Sequence, residues 1–192
     1  MQVNTEEKKL IEGIVSKDEN SFKIFVEKYQ TFVLNVCFKF VQDFDDAQDL
    51  AQEVFIKVYD SASSFRGEAK ISTWLYRISA NKSLNYIRSK RKFSFLDRLN
   101  SLLNEDGEIQ SKATFNATDE STEDLKSNYI YQAIAELSDK QRVAFTLNKL
   151  ENLSYKEISD VMQLSLSSIE SLIHRAKLNL QKSLYVKFKK LN

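Results

Sequence analysis

Residues 46–59 read DAQDLAQEVFIKVY. Ala47, Leu50, Ala51, Val54, Phe55 and Val58 stand at i, i+3, i+4, i+7, i+8 and i+11, one continuous apolar stripe on a helix of about 3.6 residues per turn. The same geometry gathers Asp49, Gln52 and Glu53 on the opposite side. A helix divided in this way needs other helices to cover its stripe. The pattern stops at SASSFRGEAK, residues 61–70, a loop in which Gly67 supplies backbone freedom. Helical spacing resumes from Ile71 to about Arg91 in a less simple form. Ile71, Leu75 and Ile78 open one apolar face, and Ala80, Leu84 and Ile87 continue on a shifted one. A second stripe, Lys70, Trp74, Arg77, Asn81, Asn85 and Arg88, advances by three or four residues and is aromatic and basic.

On the N-terminal side, residues 6–29 read as helices, with a break of helix-start character at Asp18–Ser21. Apolar positions 32, 33, 36, 37 and 40 keep a helical period up to a polar break at Gln42–Asp46. On the C-terminal side, residues from about 100 to 126 are acidic, rich in Ser, Thr and Asn and poor in aliphatics, the composition of a flexible linker. Four short helices fit the remainder, at 125–136, 139–150, 154–162 and 166–184. Ser138 and Ser154 are placed as N-caps, with Gln141 and Glu157 three residues on as capping-box partners. Three Gly and no Pro argue against a turn-rich all-β fold, and 42% hydrophobic residues support a packed core. The expected fold is all-α: two small helical domains, 1–99 and 128–192, joined by a flexible acidic linker at 100–127.

The net charge of +1 hides strong segregation: residues 1–60 carry −5, 61–99 carry +7, 100–137 carry −6 and 138–192 carry +5. Two basic blocks separated by an acidic one fit two separate polyanion contacts. Cys37 is the only cysteine, so no internal disulfide forms, and its neighbours Val36, Phe38 and Phe40 mark it as a core thiol. The N-terminus lacks the basic-then-apolar layout of a signal peptide, and no apolar run approaches the ~20 residues of a membrane span. A cytoplasmic location without direct membrane insertion is expected.

Ser154–Leu180 has the pattern of a helix-turn-helix, with the turn at Leu164–Ser165. Ile169, Leu172, Ile173, Ala176 and Leu180 share the inner arc of the second helix. Ser167, Ser168, Glu170, Ser171, His174, Arg175 and Lys177 occupy the outer arc. Small hydroxyl residues allow close approach to a major groove, and Arg175 and Lys177 can reach phosphate or a base edge. Glu170 would repel phosphate unless it accepts from a cytosine amino group or orients a neighbour. His174 is the only histidine and has no partner set for a metal. Trp74, on its stripe of cations, suits stacking on unpaired bases, with plain core packing as the other reading. The loop 63–70 could cradle an extruded base, and Arg88, Lys90, Arg91 and Lys92 are phosphate candidates. No nucleophile, metal-ligand set or phosphate loop accompanies Asp49, Gln52 and Glu53, so neither catalysis nor a cofactor is expected.

Three blocks in this order, DAQDLAQEVFIKVY (46–59), FRGEAKISTWLYRISANKSLNYIRSKRK (65–92) and Leu137–Leu180, resemble the extracytoplasmic-function (ECF) sigma factors, the small specificity subunits of bacterial RNA polymerase. The resemblance covers nearly everything except the linker. It implies that Asp46, Asp49, Gln52, Glu53 and Phe55 bind core RNA polymerase at the clamp helices of its largest subunit, with the flap as a further contact. By the same resemblance Phe65, Arg66, Lys70, Trp74, Arg77, Asn81, Arg88 and Arg91 hold the non-template strand of the −10 element, one base flipped out at a cost of roughly a few kcal/mol. The outer arc from Ser167 to Lys177 reads the −35 element of promoter DNA, the acidic linker threads the polymerase channels, and an anti-sigma factor is an expected partner. The recognition helix departs from the family at Ser167, Ser168, Glu170 and Leu172, so its sequence preference does not carry over. A stand-alone helix-turn-helix regulator is the alternative, and it has no use for the 46–92 block.

Overall fold

The computed structural model describes residues 5–67, 69–103 and 122–189. They form helices α1 (Thr5–Val15), α2 (Glu19–Val41), α3 (Phe44–Ser61), a 3-10 turn (Ala62–Ser64), α4 (Ile71–Leu103), α5 (Thr122–Glu136), α6 (Asp139–Lys149), α7 (Tyr155–Met162) and α8 (Leu166–Lys189). No strand occurs among the described residues. Residues 104–121 of the expected linker lie outside the described residues, and helix reaches Leu103 on one side and Thr122 on the other. Helix α4 therefore runs well past Arg91. Apolar periodicity marks the packed part of a helix, whereas its hydrogen-bonded length can exceed that part.

The joints of the first bundle are short and capped. Asp18 accepts from the Ser21 amide at 2.8 Å and from the Ser21 hydroxyl, which starts α2. A Cβ on Gly13 would collide with Ser21 Oγ, so this glycine permits the close approach of α1 to α2. Helix α2 is a single 23-residue element, and only Gln42 and Asp43 separate it from α3. Gln42 adopts the left-handed conformation (φ 58°) and its N–H returns to the Phe38 carbonyl, while Asp43 accepts from the Asp46 amide at 2.9 Å. The polar run 42–46 thus contains a helix stop and a helix start, with no loop between. The stripe of α3 packs against Ile14, Phe25, Val33 and Leu75, all fully buried. Cys37 is buried too, and burial pushes its thiol up to about 11, as fits a core residue.

The second bundle rests on Arg142, which is only 2% exposed. Its guanidinium donates to the carbonyls of Ile134 (3.2 Å), Ala135 and Leu137 (3.3 Å), where α5 ends. Burial first, and the Arg91 charge second, push Arg142 down to about 10, which leaves it protonated at neutral pH. Ser154 forms a complete capping box with Glu157. Ser138 stands at the expected N-cap position but its side chain makes no cap bond, and its anticipated partner Gln141 accepts from Asn179 of α8 at 3.0 Å. The tertiary contact displaces the local one. Gln163, again left-handed (φ 54°), turns the chain from α7 into α8.

The two bundles share one apolar cluster. Val36, Tyr76 and Leu84 of α2 and α4 meet Val143, Leu147 and Ile158 of α6 and α7. Helix α4 thereby lies between the bundles.

Hydrogen bonds from the Ser154 amide and hydroxyl hold the Glu157 carboxyl below its ordinary 4.5. Ser154→Ala should lower stability by about 1 kcal/mol. A carboxyl depressed in the folded state stabilises above its unfolded pKa and loses that contribution as pH falls through the folded one. The wild-type advantage, read from urea unfolding, should therefore be complete above pH 4.5 and shrink under more acidic conditions.

Candidate functional sites

Helix α3 presents Asp49, Gln52 and Glu53 to solvent, as its spacing requires. Glu53 accepts from Lys82 of α4 at 2.8 Å, and Asp46 accepts from Lys90 of α4 at 2.8 Å. Partial burial pushes Asp46 up, but the hydrogen bonds from Lys90 and Tyr86 outweigh it, so its carboxyl sits below the usual range. Phe55 does not belong to this surface. It is 8% exposed and meets Phe25 edge-on at 6.5 Å, inside the core, so it supports the face from behind. Its place in the apolar stripe outweighs its place in the motif. The sequence reading missed Ile56, which is 61% exposed and stands in line with the acidic face at 49, 52, 53 and 56. With Phe22, Val26 and Tyr59 it lines an open apolar groove between α2 and α3. An isoleucine on an otherwise polar arc was the available signal.

The aromatic and basic stripe is divided. Trp74 is 9% exposed and packs on half-buried Phe65, ring centroids 5.0 Å apart, so the stacking platform anticipated from sequence is part of the core in this state. Arg66 and Asn81 are exposed. The remaining cations are engaged by the second bundle. Lys70 Nζ lies 3.7 Å from Glu157. Arg77 donates to the carbonyls of Asp160 (2.8 Å) and Val161 (3.2 Å). Arg88 pairs with Asp139 at 2.7 Å, and Arg91 donates to the Ala135 carbonyl. A hollow of about 670 Å³ beside the loop is lined by Phe65, Arg66, Gly67 and Trp74, with Gln163 of the second bundle at its edge. Gly67 takes a positive φ of 72° there, which a side chain would disfavour.

Helix α8 follows its periodicity. Ile169, Ile173, Ala176 and Leu180 are buried, and Ser167, Glu170, Ser171, His174, Arg175 and Lys177 are exposed. Ser168 is half-buried, its amide donating to Ser165 Oγ at 3.3 Å in a hydroxyl cluster that caps the first turn. Leu178 lies exposed on the same outer arc, in register with 167, 171 and 174, and was not singled out from sequence. Among the described residues no group of three His, Cys, Asp or Glu side chains could hold a metal, and no helix is long and apolar enough to cross a membrane.

Residues 25–93 match the family model described as Sigma-70 region 2, and residues 127–180 match the one described as Sigma-70, region 4. The RNA polymerase sigma-H factor of Pseudomonas aeruginosa is 31% identical, over 96% of this chain and 96% of the relative. The ECF RNA polymerase sigma factor SigW of Bacillus subtilis is 30% identical, over 92% and 96%. The chain belongs to the ECF class of sigma-70-family sigma factors. It is an alternative sigma factor of transcription initiation with core RNA polymerase, and sigma factors are not themselves enzymes. The fold agrees with that of a solved sigma factor, RpoE of Bartonella quintana in complex with the anti-sigma factor NepR, at a TM-score of 0.57 and 22% identity, over 86% of this chain and 97% of that one. Region 2 thus runs from α2 into α4, and region 4 from α5 into α8.

The burial of Trp74 has a direct consequence. Trp74→Ala should lower stability by about 3–5 kcal/mol, as for a core aromatic, where an exposed stacking residue would change it by under about 0.5 kcal/mol. Urea unfolding followed by circular dichroism distinguishes the two.

Proposed function

We propose that this sigma factor docks on the clamp helices of the polymerase largest subunit through Asp49, Gln52 and Glu53, with Ile56 as an apolar anchor and Asp46 at the edge. Region 4 contacts the polymerase flap and reads the −35 duplex through the outer arc of α8, with Arg175 and Lys177 on phosphate or base edges. The loop Phe65–Lys70 and α4 take the −10 single strand. Arg66 and Asn81 are open for it, and Lys70, Arg77, Arg88 and Arg91 become phosphate ligands on exchanging their present partners. The functional boundaries follow as 1–99, 100–127 and 128–192. A cytoplasmic location suits this role, and so does an inhibitory anti-sigma partner, by analogy with the Bartonella complex.

One observation carries this reading: a single chain exposes both the acidic face of α3 and the hydroxyl-and-cation arc of α8. A stand-alone DNA-binding regulator needs only the second. For α8 the anchoring of the inner arc leaves six of the seven outer positions exposed, Ser168 being half-buried, so they are available without unfolding anything. Glu170 on that arc favours discrimination among bases over affinity, because it penalises every phosphate-only contact.

Run-off transcription with core polymerase tests the docking face. The triple variant Asp49→Ala, Gln52→Ala, Glu53→Ala should lose at least tenfold in core affinity while its thermal unfolding stays near that of the wild type. Undiminished transcription by that variant overturns the assignment. Arg175→Ala with Lys177→Ala should weaken promoter binding by the holoenzyme and reduce the slope of log K against log salt by about 2, close to one unit per phosphate contact. An unchanged slope would remove both residues from the DNA interface.

A further inference from the structure

The loop that joins α3 to α4 borders two hollows. One lies on the α4 side, beside Trp74. The other lies on the α1 side and measures about 760 Å³, within the range of roughly 300–1,000 Å³ usual for small-ligand sites. Phe65, Arg66 and Gly67 line both, so a strand that crosses this loop meets both. The lining of the α1 hollow comes from α1, the 3-10 turn and the loop alone, whereas Gln163 of region 4 edges the other.

Helix α1 builds this hollow from one face. Lys8, Ile11, Glu12 and Val15 stand at i, i+3, i+4 and i+7, and all four line it. Ile11 and Ala62 of the 3-10 turn are buried, and Val15 is 46% exposed although it is aliphatic. With half-buried Phe65 they make apolar walls, one of them aromatic. Lys8, Glu12 and Arg66 are exposed at the polar margin. Lys8 Nζ lies 3.8 Å from Glu12, with both side chains mostly in solvent, so either can exchange this pairing at little cost.

An unpaired nucleotide matches each part of this lining. Its flat ring suits aliphatic and aromatic walls, where stacking tolerates any base. Its phosphates suit Lys8 and Arg66. Glu12 would repel those phosphates unless its carboxylate accepts from an amino group on the base edge. Adenine, cytosine and guanine carry such a group, and thymine presents only acceptors and its methyl there.

We infer that the α1 hollow is a second base pocket for the −10 non-template strand, separate from the hollow beside Trp74, with Glu12 as a specificity-determining residue that accepts from the base amino group and disfavours thymine. This inference rests on the −10 assignment of the loop proposed above.

The test uses holoenzyme assembled with core polymerase and a promoter found by run-off transcription, pre-opened over its −10 region. One abasic site is placed at each position of the non-template strand in turn, and affinity is measured. Loss of a stacked base should cost about tenfold, at two positions for the wild type. Val15→Trp fills the α1 hollow from an exposed position and should erase the penalty at one of them. Ser64→Trp fills the hollow beside Trp74 and should erase the penalty at the other. Glu12→Gln keeps the side-chain shape and adds a donor for thymine O4, so it should narrow the preference for cytosine over thymine at the first position by about fivefold. That variant decides the matter if Val15→Trp misfolds. An abasic profile unchanged by Val15→Trp, loss of the same position in both Trp variants, or a base preference unchanged by Glu12→Gln would overturn the second pocket. A wild type with no abasic penalty at any position would overturn the −10 assignment instead.

Discussion

Helix α4 is buried from two sides, and the rest of the molecule is arranged around that constraint. Ile71, Leu75 and Ile78 enter the core made by α1, α2 and α3, while Tyr76, Ala80 and Leu84 enter the cluster shared with region 4. A helix covered on opposite faces cannot show a single clean stripe, which is why the apolar pattern shifts sides along its length. Small residues make the double burial possible. Ser79, Ala80 and Ser83 are buried among the helices and admit close packing where larger side chains would hold the bundles apart. Its polar edge then has only a narrow margin of surface, and the cations Arg77, Lys82, Arg88 and Lys90 on that margin each reach a partner on a neighbouring helix.

Electrostatics gives this seam its selectivity, with the apolar cluster supplying most of its cohesion. Exposed pairs such as Lys70–Glu157 contribute little, on the order of 0–1 kcal/mol, and are weakened by salt. Glu151 differs because it has lost most of its water. Removing a carboxylate from solvent costs several kcal/mol unless partners restore the interaction, so its pairing with Lys39 and Tyr76 specifies one arrangement more than it adds stability. Inside region 4 a buried charge also finishes a helix, because Arg142 donates to the carbonyls of Ile134, Ala135 and Leu137 where α5 ends.

Much of this was legible in the residues. The period of α3 fixed which side is core and which is acidic, and the inner and outer arcs of α8 came out as the spacing required. Ser154 capped α7 as its motif demanded because nothing competes for its side chain or for Glu157 beyond a long contact to Lys70. Ser138 carries the same motif but forms no box: its side chain makes no cap bond, and the Gln141 oxygen that would return to its amide accepts from Asn179 instead, 38 residues further along the chain. Phe55 and Trp74 show the limit from the other side. An aromatic in a functional motif and an aromatic in a core stripe look alike in one dimension.

The sequence by itself determined the helices, their amphipathic faces, the two-bundle organisation and the family, because these depend on short-range periodicity and local motifs that residues a few places apart establish among themselves. Only the tertiary structure decided that Arg77, Lys39 and Arg91 meet the ends of α7, α6 and α5, that the Glu151 side chain is largely buried between Lys39 and Tyr76, and that Trp74 is shielded. Those contacts join residues far apart in the chain, and they arise where two bundles approach closely enough for packing to exclude water and for charge to choose its partner.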